Sequence, residues 1–406
     1  MPTFSPSKRG ITAQASPIRR LSPFAEAAKA TGKKVLHLNI GQPDIATPRA
    51  MIEAYQNYNE KVLAYGASEG SPAYRTALAG YYNSLGADAI SPILPSQVLV
   101  TSGGSEALLF AIAAVCDPGD EVLVAEPFYP NYQGFSHLLA VNVKPITTLG
   151  AEGFAVDPAR LRAAIGPKTR ALVISSPGNP SGAVLNVEQL GEIGGICRDN
   201  GLFFICDEVY RDFVYDGPMT TAPSVLAQPE LQDCAIMVDS VSKRYSACGA
   251  RIGCIVTRNA EIYATVLKFA QTRLSPPVVD QLAAQAALAT PKAELAAVIA
   301  DYKLRRDALC AGLNAIAGVT ARTPAGAFYL MVQLPVADAE AFCIFLLKDF
   351  AVDGETVMLA PADGFYATTG LGKNEVRAAY VLEVPKLQRA CAILEAALAA
   401  FALKAA

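Results

Sequence analysis

The chain has 406 residues, 52% of them hydrophobic and 17% charged, with a net charge of −3. That length and apolar content suit a large core in roughly two to three domains, and the faint acidity argues against nucleic acid or an anionic membrane surface as a partner, leaving small molecules. Nine cysteines, an odd number scattered through apolar runs with no Cys-x-x-Cys pair, read as reduced thiols rather than a disulfide framework. The opening MPTFSPSKRG has no apolar signal core and no uncharged run is long enough to span a bilayer, so a cytoplasmic protein is expected.

In chain order, residues 1–15 are expected to be disordered and 16–50 to form a segment that joins a smaller domain. From there short apolar runs alternate with Ala/Leu-rich stretches at helical spacing: Val98 to Thr101, Glu121 to Ala125, Val141 to Ile146, Ala171 to Ser175, Leu202 to Cys206, Ala235 to Val238 and Ile252 to Thr257. Seven such runs predict an α/β domain over 51–290, with a mostly parallel seven-stranded sheet and helices on both faces. After Pro276 the pattern changes to helices over Val279 to Leu288 and Lys292 to Ile316. Strand-like runs follow at Ala327 to Val332, Val357 to Leu359 and Val376 to Leu382, with a last amphipathic helix over Pro385 to Ala402. These define a second, smaller α/β domain over 291–406, completed by the N-terminal segment. There is no internal repeat.

In open α/β sheets, ligands gather at the carboxyl ends of the strands, so the residues after each run carry the functional signal. Thr101-Ser102-Gly103-Gly104-Ser105-Glu106-Ala107 leads a strand into a helix, where free amides and the positive helix end suit a phosphate; such turns are also common for packing alone. Glu126-Pro127-Phe128-Tyr129-Pro130-Asn131-Tyr132 offers an aromatic face for a planar ring, or a core aromatic at a proline turn. Ser176-Pro177-Gly178-Asn179-Pro180-Ser181-Gly182 reads equally as an ordinary turn. Asp207, ending the apolar run LFFICD before Glu208-Val209-Tyr210, is costly to bury without a cationic partner. In Ser240-Val241-Ser242-Lys243, followed by Gly249-Ala250-Arg251-Ile252-Gly253, a lysine sits among hydroxyls after an apolar strand. Shielded, it loses its proton readily and can anchor an aldehyde covalently, while Arg251, Ser240 and Ser242 suit a phosphate.

The order of these motifs resembles the class I/II aminotransferases, pyridoxal 5'-phosphate enzymes of fold type I, from about Ser16 to the C-terminus. The resemblance implies Lys243 as the Schiff-base lysine and proton shuttle, Asp207 as the partner of the pyridine nitrogen, and Asn179 and Tyr210 as donors to the ring oxygen. It also implies Tyr129 stacked on the ring. The phosphate would be held by the Gly103-Gly104-Ser105 turn, Ser240, Ser242 and Arg251, with Tyr65 from the second subunit of a homodimer. Arg377, in Glu375-Val376-Arg377-Ala378-Ala379-Tyr380, matches the arginine that grips the substrate's α-carboxylate, with Gly41 and Asn179 beside it. The implied cofactor is organic, with no metal, and the implied substrates are an amino acid and a 2-oxo acid.

Transamination is the expected reaction, by a two-stage ping-pong cycle. A β-lyase on the same scaffold is an alternative, and a non-catalytic cofactor-sensing domain a third reading. Ser16-Pro17-Ile18-Arg19-Arg20, Leu38 to Pro48, Ser242 to Gly253 and Met358-Leu359-Ala360-Pro361 most resemble bacterial aspartate aminotransferases, which implies aspartate and 2-oxoglutarate. Ser105 stands where one aspartate-using subgroup has a lysine for the distal carboxylate. Arg19 and Arg273 are then the candidate cations, and without one an aminotransferase for aromatic or neutral amino acids takes aspartate's place.

Overall fold

The computed structural model describes residues 4–87, 90–217 and 219–405; the first three residues of the expected N-terminal tail lie outside it. Within that tail, Lys8–Thr12 form a short helix capped by Ser7, with no buried residue.

Val98–Thr101 (β2), Glu121–Glu126 (β3), Asn142–Thr147 (β4), Thr169–Ser175 (β5), Phe203–Asp207 (β6), Ala235–Ser240 (β7) and Gly253–Val256 (β8) form a seven-stranded sheet, following Lys34–His37 (β1) in the chain. The sheet order is β2-β8-β7-β6-β5-β3-β4. Every neighbouring pair is parallel except those made by β8, which runs antiparallel to both β2 and β7. β7 and β8 are buried along their whole length, as a sheet covered on both faces requires. Those continuous apolar runs are what made the strands readable without alternation.

The second architecture draws on both chain ends. Thr320–Ala321 (β9), Tyr329–Gln333 (β10), Ala360–Pro361 (β12) and Glu375–Ala379 (β13) make an antiparallel sheet in the order β12-β13-β10-β9. β1 pairs in parallel with Glu355–Met358 (β11), and the amide of Ala379 donates to Leu38 O at 2.7 Å. Leu36 and Leu38 join Leu330, Phe342 and Leu346 in one core; each such leucine contributes about 2 kcal/mol through burial. The N-terminal segment is thereby fastened to C-terminal elements more than 300 residues away. Helices Lys292–Asn314 and Val384–Ala405 flank this unit. Among the described residues, no helix is long and apolar enough to cross a membrane, and no cluster of three or more His, Cys, Asp or Glu is placed to hold a metal.

Candidate active site

The carboxyl ends of β2, β6 and β7 open into a cavity of about 730 Å³ that also meets the N-terminal segment and β13. The turn after β2 enters helix Gly104–Val115 through Gly103 at φ 86°, and a Cβ there would stand 2.6 Å from Arg251 Nη2. Only glycine allows that backbone and that approach. Gly104 and Ser105 line the cavity, as do Ser240 and Ser242, whose hydroxyls lie 2.7 Å apart. Arg251 reaches the same wall and binds only Cys248 O, at 3.1 Å, among the described residues. Three hydroxyls, a helix start and a guanidinium without a carboxylate partner are the groups that could hold an anion.

Lys243 is half buried on the short helix that follows β7, its Nζ donating to Gly41 O at 2.8 Å. Asp207, at the end of β6, is fully buried. Burial pushes its carboxyl up to about 6, against the pull of hydrogen bonds from Tyr132 and the amide of Val209. A cation placed at the cavity end of this carboxylate would return it to the ionised form. Tyr129 and Asn179 line the same space, and burial raises the Tyr129 phenol to about 12.

Arg377 is 1% exposed, with Nη1 donating to Asn179 Oδ1 at 2.9 Å and Nη2 to Asn39 O. Its Nε has no partner among the described residues. Burial without a carboxylate lowers its pKa, and the ring of Tyr329 lies 4.4 Å away. Tyr329 was not among the sequence candidates. Its hydroxyl is 2.8 Å from that of Tyr210, and a Cβ on Gly41 would collide with it at 1.7 Å, so Gly41 is needed for this packing. Tyr132, which donates to Asp207, was also missed; an Asp that must be buried is the signal that a donor had to exist somewhere.

Arg19 lines the cavity and has no ion pair among the described residues, whereas Arg20 beside it is tied to Glu340 and Asp363. Arg273 does not line the cavity of its own chain. Its guanidinium pairs with Glu106 at 3.1 Å and donates to Ser68 O at 3.0 Å. Tyr65 is 81% exposed and does not reach the cavity of its own chain.

A largely parallel sheet that gathers a lysine, a buried acid and an arginine beside hydroxyls at its strand ends has the groups that a phosphorylated aldehyde cofactor would need. The family model for aminotransferase class I and II matches residues 33–391, and the chain belongs to that family. It is 32% identical over 346 residues to an aspartate/prephenate aminotransferase of Thermus thermophilus, covering 82% of this chain and 86% of that one. It is 31% identical over 378 residues to a (5-formylfuran-3-yl)methyl phosphate transaminase of Methanocaldococcus jannaschii, covering 92% and 94%. The solved alanine aminotransferase of Pyrococcus furiosus superposes with a TM-score of 0.88 at 29% identity, over 97% of this chain and 100% of that one.

The protein is therefore an aminotransferase that uses pyridoxal 5'-phosphate and acts on amino and oxo acids. The donor set fits that cofactor: an amine for its aldehyde, an acid for its ring nitrogen and a cationic cradle for its phosphate. When bound, the cofactor supplies the electron-withdrawing ring that makes the substrate's α-proton acidic.

Proposed function

We propose that the enzyme moves the amino group of aspartate to 2-oxoglutarate in a ping-pong cycle. The observation that carries the dicarboxylate reading is Arg19, a second guanidinium that lines the cavity without an ion pair of its own among the described residues, in addition to the buried Arg377. In this reading Arg377 grips the α-carboxylate in fork geometry, with Asn179 and the backbone at Gly41 beside it, and Arg19 meets the distal carboxylate. Lys243 Nζ holds the cofactor and carries the proton to and from the substrate's α-carbon. Asp207 keeps the ring nitrogen protonated, Tyr210 and Asn179 donate to the ring oxygen, and Tyr129 covers the ring. Gly103, Gly104, Ser105, Ser240, Ser242 and Arg251 hold the phosphate.

Tyr65 completes that cradle from a second subunit. Val62, Leu63 and Tyr65 are all more than 70% exposed in the single chain, an apolar segment that a homodimer would cover. Residues 51–290 serve as the cofactor-binding domain, and 291–406 with 16–50 as the smaller one, in a cytoplasmic enzyme.

A second reading, an aminotransferase for aromatic or neutral amino acids, is favoured by Ile18, Leu108 and Tyr129, which add apolar wall to the same cavity. Half-reactions with aspartate, glutamate, alanine and phenylalanine, followed through the cofactor's absorbance, separate the two. Aspartate no faster than alanine or phenylalanine removes the aspartate reading.

A further inference from the structure

Glu126, the last residue of β3, is completely buried, and the reaction described so far gives it no task. A carboxylate in such a place is costly unless donors converge on it. Three do. Oε1 accepts from Thr147 Oγ1 at 2.8 Å on the neighbouring strand, and Oε2 accepts from two consecutive backbone amides, Ala367 at 2.9 Å and Thr368 at 3.0 Å. The two amides belong to the loop over 362–374, which joins β12 to β13, the strand that carries Arg377. Glu126 thus ties the large sheet to a loop of the smaller one, across 241 residues of chain.

That loop forms part of the surroundings of Arg377. Phe365 is fully buried with its ring 5.0 Å from the guanidinium, and its carbonyl accepts from the amide of Phe128, two residues after Glu126. Tyr366 donates to Glu375 at 2.7 Å, two residues before Arg377. With Asn179 and Asn39 O occupying its Nη atoms, Arg377 is held from the large-sheet side, from the N-terminal segment and, through Phe365, from this loop. Releasing the loop would free the Phe365 ring and loosen the geometry on which bidentate recognition depends.

We infer that Glu126 is a positioning residue for Arg377, acting through the loop over 362–374; the inference rests on reading Arg377 as the ligand of the substrate α-carboxylate. Its effect falls on substrate affinity. Cofactor binding and the proton transfer at Lys243 stay as they are, because among the described residues neither Lys243 nor Asp207 makes a hydrogen bond or ion pair to the loop.

The test is the half-reaction of the holoenzyme with alanine, which has no distal carboxylate for Arg19, measured in single turnovers for Glu126→Ala, Glu126→Gln and Arg377→Lys. For Glu126→Ala the apparent Kd for alanine should rise about tenfold and the limiting rate stay within about twofold of native, a split that separates positioning from loss of fold. For Glu126→Gln, whose amide oxygen still accepts from the loop, the rise should be about threefold. Cofactor affinity and the absorbance spectrum should match the native enzyme in both. A native Kd in Glu126→Ala overturns the inference, as does a loss of cofactor affinity equal to the loss for alanine. If Glu126→Ala does not accumulate, a native Kd in Glu126→Gln overturns it instead. Arg377→Lys separates the two layers: native alanine affinity there sinks the reading of Arg377 itself, while weakened affinity there beside native affinity in the Glu126 variants sinks only the inference about Glu126.

Discussion

Tyr132 donates its phenolic hydrogen to Oδ2 of Asp207 at 2.9 Å, with both side chains buried. The bond favours the ionised carboxylate, and burial opposes it more strongly, leaving the acid near 6 in the cofactor-free chain. An acid whose pKa rises on folding, here from 3.8, binds more protons folded than unfolded between those values. Stability from this group is therefore present at low pH and lost as pH rises from about 4 to about 6, by roughly 3 kcal/mol. In urea unfolding of the cofactor-free protein, the native chain should gain on Asp207→Asn as pH falls from 7 to 5. Tyr132→Phe should move the loss to higher pH. A gap between native and Asp207→Asn that does not change with pH would contradict the buried, titrating acid.

Lys243 is the one amine that lines the cavity among the described residues. Lys243→Ala should still bind the cofactor, through the phosphate cradle alone, while transamination falls by several orders of magnitude, about the scale lost when a nucleophile and a proton carrier go together. Borohydride treatment of the native enzyme and peptide mapping should place the cofactor on Lys243; its recovery on another lysine would refute the assignment.

Arg377→Lys replaces a planar fork with a point charge. The expected loss is about 1.5 to 3 kcal/mol in kcat/KM for amino-acid and oxo-acid substrates alike, because both carry the α-carboxylate. Cofactor affinity, read by absorbance titration, should not move.

Arg19 and Arg273 should behave oppositely. Arg19→Ala is expected to lower kcat/KM for aspartate about tenfold or more relative to alanine without affecting the melting temperature, since Arg19 has no ion pair to lose among the described residues. Arg273→Ala strips Glu106 of its partner at 3.1 Å, so it should cost stability and leave the ranking of substrates unchanged. A changed ranking in Arg273→Ala alone would reverse the two roles.

The sheet, and most of the residues that its carboxyl ends bring to the cavity, were legible in the chain itself. Buried parallel strands require unbroken apolar runs, and a ligand at their carboxyl ends requires small, hydroxyl and charged residues immediately after them; both are local demands. That is why Gly103 to Ser105, Asn179, Asp207 and Ser240 to Arg251 stood out at strand ends, although it was the family resemblance carried by their order that implied a role for each. The strands β9 and β12, of two residues each, are too short to leave a periodicity and were not foreseen. What the tertiary structure decided is which side chains meet across long stretches of chain. Tyr132 meets Asp207 over 75 residues, Tyr329 meets Tyr210 over 119, and Glu126 meets the loop before Arg377 over 241. It also separated two arginines of equal promise by pairing Arg273 with Glu106, 167 residues away, and leaving Arg19 in the cavity wall. A hydrogen bond or ion pair depends on positions in space to within about an ångström, and local periodicity carries no information about which distant residue will supply the partner.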